Sequence, residues 1–222
     1  MNTRSKKSVR FIVISLLLLT VMLTAFAPVT TAQAKAKIDR QVFHDAMRKL
    51  WEDHITWTRL VIIGVFEDLP DLAPSVQRLL QNQVDIGDAV KPFYGEEAGE
   101  QLTALLTDHI LIAAEILQAA KNGDTATMED AIDRWYENAD DIAEFLHAAN
   151  PRHWRLIEMK SMMREHLDLT LEEAVAYLHG DYEGSIAAYD LVHLQALEMA
   201  DMLSTGIMQQ FPNKFKGGAV DD

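Results

Sequence analysis

FHDAMRKLWEDHITWTRLVIIGVF, residues 43–66, decides the fold class. Phe43, Met47, Leu50, His54, Trp57, Val61 and Val65 recur at steps of three and four, so one apolar stripe runs the length of a helix. Two prolines, Pro70 and Pro74, end it, because proline lacks the amide proton a continuing helix needs and biases the residue before it towards extended backbone.

The same punctuation extends outward. A second helix is expected over 75–90, stopping at Lys91-Pro92, and a third over 96–121, closed by Asn122-Gly123 with Asp124 or Thr125 as the next cap. A fourth covers 125–149 and breaks at Asn150-Pro151. A fifth is expected over 153–166. Thr170-Leu171-Glu172-Glu173 matches the capping-box start of a short sixth. A last long helix is expected over 182–210, closed by Phe211-Pro212. No stretch alternates with period two for long enough to make a strand. The expected fold is therefore all-α, an up-and-down bundle of about six or seven helices built from repeated helical hairpins.

The repeat is visible in the residues. Asp53-His54, Asp108-His109 and Glu165-His166 fall 55 and 57 residues apart. Asn82-Gln83-Val84-Asp85 is echoed 56 residues later by Asn138-Ala139-Asp140-Asp141. Gly123-Asp124 and Gly180-Asp181 each follow a histidine by 14 residues. A third echo of the aspartate step, Glu198-Met199-Ala200-Asp201-Met202, needs a shift of three or four residues.

Composition narrows the function. Residues 1–34 read as a secretory signal: Arg4, Lys6, Lys7 and Arg10, then an apolar run, then Ala32-Gln33-Ala34 as a cleavage site. That leaves 35–212 as the helical domain and 213–222 as a flexible tail, in a secreted or extracytoplasmic protein with no membrane contact after cleavage. Losing the four cations takes the formal charge from −14 to −18, which argues against nucleic acid as a partner. The chain has no cysteine, which excludes disulfides, thiolate metal sites and thiol nucleophiles.

Four histidines, His54, His109, His166 and His193, sit on apolar stripes and so point into the core. Asp85, Asp141 and Asp201 lie at stripe edges near them in the repeat. A buried imidazole needs partners for both nitrogens, and convergence on a metal ion with carboxylates from facing helices supplies them together. These seven residues are the candidate ligands of a divalent transition metal of unspecified identity. The alternative is that each histidine bonds a backbone carbonyl or a neighbouring Asn, Thr or Tyr across a helix interface. Met159, Met162, Met163, Met199, Met202 and Met208, at helical spacing, read as core filler.

The segments LWEDHITWTR (residues 50–59), LLQNQVDIG (79–87), LTALLTDHI (102–110) and WYENADDIA (135–143) resemble a family of exported bacterial and archaeal helical proteins. The resemblance spans about residues 48 to 212. It implies export and a helical fold, and it carries no activity and no site residues.

No phosphate-binding glycine loop, His-Glu-x-x-His or nucleophile elbow is present. The reading is thus an exported helical-bundle protein that binds a metal ion or small ligand. The alternatives are an interaction or assembly protein with structural histidines, and a metalloenzyme using the same cluster.

Overall fold

The computed structural model describes residues 36–216. The expected signal, 1–34, and residues 217–222 of the expected tail lie outside the described residues. Within them the chain forms an all-α bundle of six helices: α1 (Arg40–Phe66), α2 (Leu72–Tyr94), α3 (Glu96–Asn122), α4 (Thr125–Ala149), α5 (Leu156–Leu178) and α6 (Tyr182–Gln210). A single 3₁₀ turn, Pro212–Lys214, follows.

Each helix packs antiparallel on the next, and α6 returns to α1, so the six close into a ring. Cross-links show the antiparallel sense. Asn82 reaches Leu50, Asn138 reaches Leu105 and Gln195 reaches Met162 within hairpins, while Arg48 reaches Asp201 and Arg59 reaches Ser185 across the α1–α6 seam. α1 also touches α3 and α5 across the interior. By length and composition α3 passes for a membrane span, a test that the core helix of a soluble bundle passes too.

Local chemistry explains the boundaries. Asp39, Asp124 and Asp181 cap α1, α4 and α6 by accepting backbone N–H bonds. Gly123 and Gly180 take positive φ just ahead of the last two caps. Gly87 and Gly99 let α2 and α3 touch backbone to backbone, since a Cβ on Gly87 would lie 2.6 Å from the Gly99 carbonyl oxygen.

Four expectations need correction. α2 begins at Leu72, with Pro74 in the first turn where its missing N–H has no intrahelical partner to lose. It continues through Pro92 to Tyr94. The expected fifth and sixth helices are one, α5, which starts at Leu156. Thr170 caps nothing; its hydroxyl donates to the His166 carbonyl oxygen at 2.7 Å, and Glu173 turns inward. The tail expected from Asn213 is packed through Lys216. Ile38 and Phe215 form a bridge, Lys214 and Lys216 bond Ile38, and Phe215 is wholly buried between Phe43 and Phe93. The buried ring, together with the backbone bonds to Ile38, offsets the freedom the short segment loses.

Candidate histidine site

Each hairpin contributes one histidine from its first helix: His54 on α1, His109 on α3 and His166 on α5, only 2–4% exposed. The rings meet inside the bundle, with centroids 5.8 Å apart for His54 and His166 and 6.4 Å apart for His109 and His166. Helical spacing stacks further layers along the same faces. Three residues before the histidines lie Trp51, Leu106 and Met163, and seven before lie Met47, Leu102 and Met159, all buried. Four residues after them come Thr58, Ala113 and Thr170, beside an apolar cavity of about 30 Å³.

Each Nδ1 is held by an amide from the second helix of the same hairpin. His109 Nδ1 lies 2.9 Å from Asn138 Oδ1, and His166 Nδ1 lies 3.1 Å from Gln195 Oε1, in both cases 29 residues on. The same amides donate to Leu105 O and Met162 O, the carbonyls four residues before each histidine. With its NH₂ spent on a carbonyl, each amide presents oxygen to the ring, so the imidazole proton sits on Nδ1 and Nε2 keeps a lone pair. On α1 the roles are split. Asn82 donates to Leu50 O, while Gln83 Nε2 lies 3.2 Å from His54 Nδ1 and donates to Leu79 O at 2.8 Å. A donor facing Nδ1 puts the proton of His54 on Nε2, and Gln83 Oε1 is left buried without a partner. Each histidine carbonyl also accepts an extra bond, from Thr58, Trp135 and Thr170 respectively.

Burial holds all three imidazoles neutral. It pushes His109 down to about 3 and His166 to about 4, and lowers His54 strongly; at His54 and His109, repulsion from the neighbouring rings adds to the effect.

No family model, curated protein or solved structure matches this chain.

Among the expected ligands, His54, His109 and His166 are thus brought together and the other four are not. His193 sits on α6 facing α1, partly exposed, stacked on Tyr189 with Nε2 3.6 Å from Glu52. Asp85 accepts from Gln81 and lies 3.6 Å from Arg78. Asp141 is exposed on α4, lining a surface groove with Tyr94 and Phe145. Asp201 holds Arg48 and His44. The physical reason is common to the three aspartates. An ionised carboxylate is far costlier to bury than an amide, so Asn82, Gln83, Asn138 and Gln195 turn inward and the three aspartates turn outward. Among the described residues no group of three or more His, Asp or Glu side chains is placed so that it could hold a metal ion.

The alternative partner, a neighbouring Asn, is what His109 has in Asn138, while sequence reading missed the glutamines Gln83 and Gln195. It also missed a buried ion pair: Arg59 Nη1 lies 2.7 Å from Glu173 Oε1, near Ser185 and over the Tyr189 ring. Burial pushes the Glu173 carboxyl up to about 7 against the pull of Arg59.

Proposed function

We propose that this is an exported helical-bundle binding protein, its three hairpins copies of one ancestral hairpin, which holds a transition-metal ion on the Nε2 atoms of His54, His109 and His166. The observation carrying this reading is the amide clamp on Nδ1. Proteins orient ligating imidazoles in this way, by fixing one ring nitrogen and freeing the other. All three rings are neutral, as metal ligation requires.

Loading asks for two adjustments. Nε2 atoms at ~2.0–2.1 Å from one ion place ring centroids roughly 5 to 5.5 Å apart, so from 5.8 Å His54 and His166 close by about half an ångström, and from 6.4 Å His109 and His166 by about one. Gln83 turns its amide over, giving the unpartnered Oε1 to His54 Nδ1–H and freeing the Nε2 lone pair, and its side chain moves off Leu79 O and Asn82 Oδ1, to which Nε2 donates in this structure.

The second reading, an extracellular interaction protein with structural histidines, is favoured by Gln83 as it stands. With its proton on Nε2, His54 brings one donor to a trio with two acceptors, and no ion is required.

Elemental analysis of untagged mature protein, paired with thermal melts, separates the two. Metal should co-purify and raise the melting temperature, because it binds only the folded chain. His54→Ala and His109→Ala should abolish the metal-dependent increment, while His179→Ala, at the end of α5, should keep it. Metal-free protein whose melting is indifferent to added ion would establish the structural reading instead.

A further inference from the structure

We propose that the surface groove between α3 and α4 is a binding site for a small organic cation with an apolar body, of the aryl- or alkylammonium class. The groove shares no side chain with the histidine trio and does not rest on the metal reading.

Shape is the first reason. The groove has a volume of about 730 Å³ and lies between the start of α3 and the end of α4. Pockets that take small molecules are typically about 300–1,000 Å³ and mostly apolar. Ala98 and Ala148 leave the trough open because each contributes only a methyl group, while Leu105 and Phe145 give it an apolar floor. Tyr94, the last residue of α2, closes it; its hydroxyl is spent on Gln210 Oε1 at 2.6 Å, so what it offers a ligand is its ring. The floor can also yield. A void of about 10 Å³ is bounded by the same Tyr94, Ala98 and Phe145, and a second of about 20 Å³ adjoins it across Leu102 and Trp154. Each has room for about one water-sized group, so the floor rings can shift inward without meeting packed core.

Charge is the second reason. Besides Tyr94, the polar side chains in the groove are Gln101, Asp141 and Glu144, so it holds two carboxylates and no cation. Glu144 shares Lys160, at 2.7 Å, with Asp140. Asp141 has no ion-pair partner among the described residues. One carboxylate beside an apolar floor is therefore left unmatched, and an ammonium group there would gain a partner while its body covers Leu105 and Phe145. Glu137 and Asp133, one and two turns before Asp141 on α4, are exposed and extend the negative field along that helix. An anionic ligand of the same shape meets repulsion at both carboxylates.

The test uses the nitrogen-15-labelled mature chain and three ligands with one body: 4-phenylbutylamine, 4-phenylbutanol and 4-phenylbutyrate. Amide chemical shifts followed through each titration report both the affinity and the place. The amine should move the amides of Leu105, Asp141 and Phe145 and bind about tenfold more tightly than the carboxylate, the scale expected of two exposed charges. Asp141→Asn combined with Glu144→Gln should erase that preference and leave binding of the alcohol unchanged. Ala148→Trp, which fills the groove from an exposed position, should weaken all three ligands; were it unfolded, the shift map of the wild type still decides. Equal affinity for amine and carboxylate would overturn the proposal. So would shifts confined to other parts of the bundle, or a preference for the amine that survives loss of both carboxylates.

Discussion

Asn138 does two jobs with one side chain, accepting from His109 Nδ1 and donating to Leu105 O. Asn138→Ala strands both partners in the core, and we expect a loss of about 1–3 kcal/mol in urea unfolding, the usual cost of unsatisfied buried polar groups. The imidazoles set the pH dependence. Their folded pKa values lie below the unfolded value near 6.5, so their stabilising effect is complete above that pH. As pH falls the unfolded chain takes up the protons first, and stability drops by about 1.4 kcal/mol per histidine per pH unit. Three groups together give roughly 4 kcal/mol per unit, enough to unfold a domain of ordinary stability between about pH 5 and 3. Glu173 acts in the opposite sense. Its raised pKa favours the fold below about 4.5, an effect lost as pH rises through about 7, so Glu173→Gln should remove that loss and make the rise of stability between about pH 4.5 and 6.5 steeper. At this scale the apolar stripes marked His54, His109 and His166 as inward but also His193, which faces α1 partly exposed, and they offered Asn only as an alternative partner and no Gln. Periodicity reports a face, whereas the choice between Asn82 and Asp85 rests on desolvation cost, which apolar spacing does not encode.

Among the elements, the α2–α3 contact is the most exacting. Gly87→Ala would push a methyl group against the Gly99 carbonyl and Thr103, and overpacking of this kind costs typically 1–3 kcal/mol. The midpoint of chemical denaturation should fall accordingly, with no loss of helix content at rest. Helix existence was plain from stripes, glycines and prolines, and the structure keeps every long helix expected. The boundaries that moved share a cause. Pro74 sits in the first turn of α2, where a missing N–H is tolerated, Pro92 lies in its last turn, where only one ladder bond is lost before the helix ends, and Thr170 resembles a cap only until its hydroxyl is seen bonding back to His166. Local sequence does not say whether a threonine begins a helix or lies within one; burial decides it.

For the whole molecule, closure of the ring is the governing fact, and Phe215 reinforces it by tying the C-terminal turn to Ile38, just before α1. Phe215→Ala should cost about 3–5 kcal/mol, the range for deleting a buried aromatic ring, and should lower the melting temperature without removing the histidine site. Closure also brings α1, α3 and α5 together so that three imidazoles separated by 55 and 57 residues become neighbours. The central claim is that these three rings form one buried neutral group with Nδ1 clamped, Nε2 free on His109 and His166, and Nε2 of His54 freed for an ion once Gln83 turns. Nitrogen-15 NMR of the histidine side chains, followed through a pH titration of the metal-free protein and repeated with metal added, tests it most directly. The account predicts three imidazoles that stay neutral to below about pH 5, with His109 and His166 protonated on Nδ1, and Nε2 signals of all three that move together when the ion binds. Rings that titrate near pH 6.5, or Nε2 signals unmoved by metal, would contradict it.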